Sequence, residues 1–405
     1  MRIVCTGCGA SASADSFVHP CAHCGEPVEV RYEPGEIAPA LALAGGGRVH
    51  GVLTDFAAVL PDLGGGMVSL GEGGSPLLDI GELAERLGLP ELHLKNEGSN
   101  PTGSFKDRGS AVALSWAVGH GFRSAGTVSS GNMAGSVGAY AARAGVPCVI
   151  LVPAHIKPEK LFTIGVYGPD LIRIEGDYGA LYRRALSLGR QQGIYFAVSD
   201  DPWRIEGQKT IAYEIVRDLG GAPDYVFVAV SSGGHMAAML KGFAEMVEAG
   251  LIDRAPAVVG VQSTGCNPIA RAFETAAGTV TRLDRADTAA HAIANPDPPS
   301  GSRLLRSLRA AGVGGVIAVD DEDLRRAQMM LSAGEGIFVQ MESAAALAGA
   351  IVYAREGKLS RNDRVVLVAT GNGLKDPAAF AGRDFAARLI PLERLGELPL
   401  TPVKH

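Results

Sequence analysis

From residue 81 to residue 369, short runs of β-branched and apolar residues alternate with longer stretches whose apolar positions recur at helical spacing. ELHLKNE, AGTVSS, VPCVILVP, LIRIEG, IYFAVS, YVFVAV, AVVGVQS and VVLVAT predict strands. GELAERLGLP, the stretch entered at Lys106, MAGSVGAYAARAG, KPEKLFTIGVYG, YGALYRRALSLGRQQG, TIAYEIVRDLG and HMAAMLKGFAEMVEAG predict helices. Two more helices are expected after Asp321, with an acidic start and a glycine stop, and after Ser343, small and apolar on one side. Buried strands alternating with helices predict an α/β fold with a parallel sheet covered on both faces. Ahead of this pattern residues 26–74 are mixed, with loops marked by Pro34-Gly35 and by glycine runs at 45–47 and 64–66. Asp284 to Ser302 predicts an irregular surface excursion, and the tail after Pro377 carries little pattern.

Composition narrows the partners. A chain of 405 residues, 47% hydrophobic and 20% charged, predicts two or three globular domains with a sizeable core. A net charge of −6 argues against nucleic acid, which would require a clustered positive face. No uncharged apolar run approaches the roughly 18 residues of a membrane span. The N-terminus MRIVCTGCGA lacks the apolar core of a signal peptide, so a cytoplasmic location is expected.

Candidate chemistry begins with Cys5, Cys8, Cys21 and Cys24, two C-x2-C knuckles that can turn four thiolates toward one tetrahedral zinc ion. Such a site is structural, since four sulfurs leave no open position; a redox pair or unrelated cysteines are the alternatives. In KNEGSNPTGSFKDRG, residues 95–109, turn-forming residues frame Lys106 at a helix entrance beside Phe105. An ammonium so placed is poorly stabilised, which suits a Schiff-base lysine; pairing with Asp107 or another surface carboxylate is the ordinary alternative.

Loops after strands supply the remaining groups. Ser231-Ser232-Gly233-Gly234-His235 presents backbone N–H groups at a helix start, as a phosphate cradle or merely as a tight turn. Asn132 can hold a phenolic oxygen or a carboxylate, or only cap its helix. Thr370 brings a neutral hydroxyl to a strand end, for a pyridine nitrogen or for local backbone. Arg204 suits a phosphate or carboxylate, or a salt bridge to Asp200, Asp201 or Glu206. An imine-forming lysine, a phosphate cradle, an amide and a neutral hydroxyl together describe a pyridoxal phosphate site.

NPTGSFKDRG, SSGN followed by AYAARAG, PWRIEGQKT, GIF followed by SAAALAG, and TGNGLKDP resemble threonine synthases, pyridoxal phosphate enzymes of the tryptophan synthase β-like fold (fold type II). The resemblance runs from about residue 70 to 377 and implies two domains with open parallel sheets. A zinc-ribbon-like segment would occupy residues 1–32, a large cofactor domain 33–110 and 165–405, and a small mobile domain 111–164. It further implies that Lys106 carries the cofactor and shuttles protons, that Asn132 meets its 3-hydroxyl, that Ser231 to His235 hold its phosphate and that Thr370 meets the ring nitrogen. Ser129, Ser130, Met133, Ser199 and Arg204 would face substrate, with Ser199 and Arg204 at positions that hold the phosphate of O-phosphohomoserine. A homodimer is expected on the same ground. The implied reaction converts O-phospho-L-homoserine and water to L-threonine and phosphate, with a cysteate synthase-like β-replacement on O-phosphoserine or a related activated amino acid as the alternative. A non-catalytic zinc-ribbon binding protein is the reading from another class. Four departures bear on substrate: Met133 stands where a small hydroxyl residue is usual, Val198 for an asparagine, Ser231 to His235 for G-N-x-G-N, and Gln340-Met341-Glu342 for Glu-Pro-Ala.

Overall fold

A computed structural model describes residues 1–13, 19–33, 35–37, 53–376, 389 and 391–397. Pro34, the glycine run 45–47 and Pro377 lie outside these residues. The chain opens with β1 (Arg2–Cys5), β2 (Ser11–Ser13) and β3 (Val28–Arg31). It continues through β4 (Leu77–Asp79), α1 (Gly81–Leu87), β5 (Glu91–Asn96), α2 (Lys106–Gly119), β6 (Ala125–Val128), α3 (Asn132–Ala144), β7 (Cys148–Pro153) and α4 (Pro158–Gly165). Next come β8 (Asp170–Ile174), α5 (Tyr178–Gln192), β9 (Tyr195–Phe196), α6 (Pro202–Leu219), β10 (Tyr225–Ala229), α7 (Gly234–Glu248) and β11 (Ala257–Ser263). The last are α8 (Pro268–Glu274), α9 (Gly301–Ala311), β12 (Gly315–Val319), α10 (Asp321–Met329), α11 (Ala345–Arg355) and β13 (Arg364–Ala369).

These strands form three sheets. β2-β1-β3 is antiparallel and carries the cysteine knuckles. A six-stranded sheet runs β12-β11-β10-β13-β5-β4, parallel except for β4 at its edge. A four-stranded parallel sheet runs β8-β7-β6-β9. Two of its strands, β8 and β9, lie beyond residue 164, where the small domain was expected to end. Main-chain pairing of β8 to β7 and of β9 to β6 carries the second sheet to residue 196.

Strand order places the site. In the four-stranded sheet the sequence order reverses between β6 and β9, and in the six-stranded sheet the falling order is broken between β10 and β13; ligands of open α/β sheets collect at such points. The chain after β10 gives Ser231 to His235, and after β13 it gives Thr370. The chain after β6 gives Ser129 to Asn132, and after β9 it gives Ser199. Helices α2 and α6 run between the two sheets in close contact: a Cβ on Gly207 would meet Arg108 O at 2.0 Å, so only glycine permits this approach. Trp116 and Trp203 stack across the same pair at 4.6 Å between ring centres.

Candidate active site

The lysine turn is rigid because its polar groups are consumed internally. Asp107 is fully buried, accepts the Thr102 N–H at 2.7 Å and the Thr102 hydroxyl at 2.6 Å, and so closes the turn ahead of α2. Its carboxylate is therefore committed to the turn, which removes the simplest ordinary partner for Lys106. Next to it the Arg108 guanidinium donates to Glu97 at 2.7 Å and to Glu214 at 2.6 Å, all three fully buried. Lys106 thus enters the helix on a braced segment, with its Nζ 4.4 Å from the Phe105 ring centre. Burial, and then the nearby Arg204 guanidinium, lower the Lys106 pKa to about 7. A neutral amine near pH 7 is the form that attacks an aldehyde. Cofactor-stripped protein is accordingly expected to recover its colour on adding pyridoxal phosphate with a rate that rises around pH 7. A rate rising only near the ordinary lysine value of about 10.4 would contradict this.

Around the amine lies a cavity of about 940 Å³. Lys106, Asn132, Met133, Ser129, Ser130 and Ser199 line it, together with Ser231, Ser232, Gly233, His235 and Thr370. Gly233 adopts φ +91°, and a Cβ on Gly234 would stand 2.7 Å from Ser199 O, so this turn packs its bare backbone against the β9 loop at the start of α7. His235 stacks on Phe105 at 3.9 Å between ring centres. Burial, with the Lys106 and Arg108 cations adding to it, holds its imidazole well below the ordinary histidine range, hence neutral. Among the described residues neither of its ring nitrogens has a hydrogen-bond partner, so the site retains an unsatisfied polar group beside the glycine turn. An amine, turn amides at a helix N-terminus and an orphaned imidazole in one enclosure fit a phosphorylated aldehyde cofactor.

Two members of the site escaped the sequence reading. The Asn132 amide donates to Gln340 Oε1 at 2.6 Å, and the Thr370 hydroxyl lies 2.9 Å from Ser343 Oγ, which also accepts the Gly371 N–H at 2.8 Å. Gln340 and Ser343 therefore orient the two groups expected to meet a pyridine ring. The loop expected around Arg204 is a helix start. Asp201 caps α6 by accepting the Trp203 and Arg204 N–H groups, and Pro202 begins it, so Arg204 lies on the first helical turn. Its fully buried side chain donates to Ser110 Oγ at 2.9 Å and lies beside Lys106, whose carbonyl oxygen is 3.5 Å from a guanidinium nitrogen. Val198 is likewise buried among Val128, Leu151 and Phe196. The excursion around Asp284 to Ser302 also departs from expectation: it covers the cavity with His291 to Pro296, and α9 begins at its end.

At the far N-terminus Cys5 Sγ lies 3.4 Å from Cys24 Sγ, and Cys8 Sγ lies 3.8 Å from Cys21 Sγ. All four sulfurs fall within 4.8 Å of one another. A tetrahedron with Zn–S bonds of about 2.3 Å has sulfurs about 3.8 Å apart, so the cluster has the size of a zinc site. Backbone N–H groups of Cys24 and His23 hold the Cys21 thiol below its ordinary value.

The fold and this cavity define a fold type II pyridoxal phosphate enzyme, and residues 68–371 match the pyridoxal-phosphate dependent enzyme family. Within that class the chain belongs to the threonine synthase family. It is 36% identical to the threonine synthase of Methanocaldococcus jannaschii over 378 residues, 93% of each chain. It is also 36% identical to that of Mycobacterium tuberculosis over 342 residues, 83% of this chain and 89% of the other. The processed form of threonine deaminase isoform 2 from Solanum lycopersicum shares the fold, with a TM-score of 0.66 at 21% identity, covering 92% of this chain and 90% of that one. Maize serine racemase does so with a TM-score of 0.61 at 21% identity, covering 74% and 88%. The protein is a pyridoxal-phosphate-dependent enzyme of elimination and replacement. Among the described residues no helix is long and apolar enough to cross a membrane.

Proposed function

We propose that this enzyme converts O-phospho-L-homoserine and water to L-threonine and phosphate. The observation that carries the proposal is a half-buried lysine of pKa about 7, facing the cavity in a chain 36% identical to a threonine synthase along 93% of its length. Pyridoxal phosphate, when bound, supplies an electron sink next to the substrate α-carbon. Lys106 would hold its aldehyde, and the lysine amine would take the proton from the substrate α-carbon and return protons to the substrate carbons. Ser231 to His235 hold the cofactor phosphate by backbone N–H groups and the neutral imidazole. Asn132, oriented by Gln340, meets the 3-hydroxyl. Thr370, oriented by Ser343, meets the ring nitrogen as a neutral partner. Ser129, Ser130 and Ser199 bind substrate, and Met133 replaces a polar contact with an apolar wall. Arg204 acts through Lys106, whose pKa it lowers. Phosphate leaves from the γ-carbon and water adds at the β-carbon.

Incubating purified holoenzyme with O-phospho-L-homoserine or O-phospho-L-serine tests the substrate. Phosphate and L-threonine in equal amounts from the first are expected; phosphate release from the second alone would contradict the proposal.

We further propose that Cys5, Cys8, Cys21 and Cys24 hold one zinc ion. Purified protein is expected to contain about one zinc per chain by elemental analysis, and Cys8→Ser/Cys24→Ser to contain none while keeping its cofactor colour. Full zinc content in the double variant would refute the assignment.

A further inference from the structure

The N-terminal knuckle module abuts the reaction cavity. Pro20 and Gly25, each next to a cysteine ligand candidate, line the same cavity as Lys106. His19 is 3% exposed, and its Nε2 lies 3.3 Å from Oδ1 of Asp200, itself 4% exposed. The same carboxylate oxygen accepts the Tyr182 hydroxyl. From the other side, one nitrogen of the buried Arg303 guanidinium donates both to Val28 O in β3, at 2.9 Å, and to Asp200 O, at 3.0 Å. Arg190 donates to His19 O at 3.3 Å, and Arg306 joins α9 to Thr6 and Glu26 of the module. Asp200 is therefore held by the N-terminal module at its side chain and, through Arg303, at its carbonyl. Ser199, its neighbour, lines the cavity, and its own carbonyl packs against Gly234 of the glycine turn.

We propose that the N-terminal module is a wall of the substrate site, and that His19 and Arg303 are positioning residues that fix the Ser199-Asp200 turn for substrate binding. The chain of contact runs from the knuckle to His19, to Asp200, to Ser199 and so to the cavity. A module whose only task was its own stability would not require a buried histidine aimed at a cavity loop, nor an arginine shared between its strand and that loop. This inference rests on the proposed reaction for its kinetic arm only.

The test compares wild type, His19→Ala and His19→Gln as holoenzymes, glutamine being able to place an N–H where Nε2 stands. Two readouts are taken: backbone hydrogen exchange across 198–206, and the kinetic constants with O-phospho-L-homoserine. In His19→Ala, exchange in this segment is expected to accelerate about tenfold while α7 and α11 are unchanged. KM is expected to rise about tenfold with kcat within about threefold, the loss of one charge-assisted contact. His19→Gln is expected to restore both. Unchanged exchange in His19→Ala, or acceleration spread evenly over the chain in both variants, would overturn the proposal. If wild type leaves O-phospho-L-homoserine intact, the proposed reaction fails, and the exchange data by themselves decide the role of His19.

Discussion

Lys106→Ala is expected to give a purified protein without the absorbance near 410–420 nm that marks a lysine-bound pyridoxal phosphate, and with turnover lowered at least about 10³-fold. Both effects trace to one amine. In the proposed reaction it holds the cofactor aldehyde and moves the protons between the substrate carbons. The substitution leaves the fold in place, because the turn ahead of α2 is closed by Asp107 and Thr102 and the helix is anchored by Arg108, not by Lys106. Circular dichroism and the unfolding midpoint are therefore expected to match wild type. A variant that keeps the absorbance band would show that the cofactor is attached elsewhere and would remove Lys106 from the centre of the site.

Arg108→Met is expected to cost stability instead, by about 3–5 kcal/mol, because it leaves carboxylates that were paired with a cation buried without it. Glu97 and Glu214 both contact Arg108 with no exposure to water, and Lys95, 2.9 Å from Glu214, compensates only one of them. Burial alone raises the Glu214 pKa, and the Arg108 and Lys95 cations overcome it, bringing it to about 2. In wild type this depressed value contributes stability that is present above the unfolded glutamate value of about 4.3 and is lost as pH falls toward 2. In the variant the arginine is gone and burial pushes the Glu214 carboxyl up, so the unpaired charge is destabilising near pH 7 and less so when protonated. Urea midpoints are thus expected to differ most at pH 7 and to converge on acidification. A gap that is constant with pH would mean that lost packing, not uncompensated charge, dominates.

What the sequence made legible was whatever is local. Uninterrupted β-branched runs announced β7, β10, β11 and β13, and PTGSFK announced the turn that brings Lys106 to the cavity. β12 was missed: its five residues GVIAV sit between glycines and aspartates and are too few to show a period, and only pairing with β11 makes them a strand. α9 was missed because it starts inside a stretch of Pro, Ser and Asp. Arg204 was expected in a loop and stands on a helix. Its direction depends on Asp201 and Pro202 turning an apparent loop into a helix start. Gln340 and Ser343 had no local signal, since their partners lie 208 and 27 residues away. Gln340 was noted as a departure from the family pattern, which was a clue to position but not to its contact with Asn132. The contact of the cysteine module with the cavity is long-ranged too, carried by His19 on Asp200 and by Arg303, which lies 275 residues from Val28.

The reaction itself is tested most directly by running it in water enriched in ¹⁸O and weighing both products. Release of phosphate by cleavage at the γ-carbon leaves every phosphate oxygen unchanged, and water added at the β-carbon supplies the new hydroxyl. The account predicts one heavy oxygen in the hydroxyl of L-threonine and none in the phosphate at early times. Label in the phosphate, with homoserine as the accompanying product, would show simple ester hydrolysis and contradict a reaction centred on Lys106.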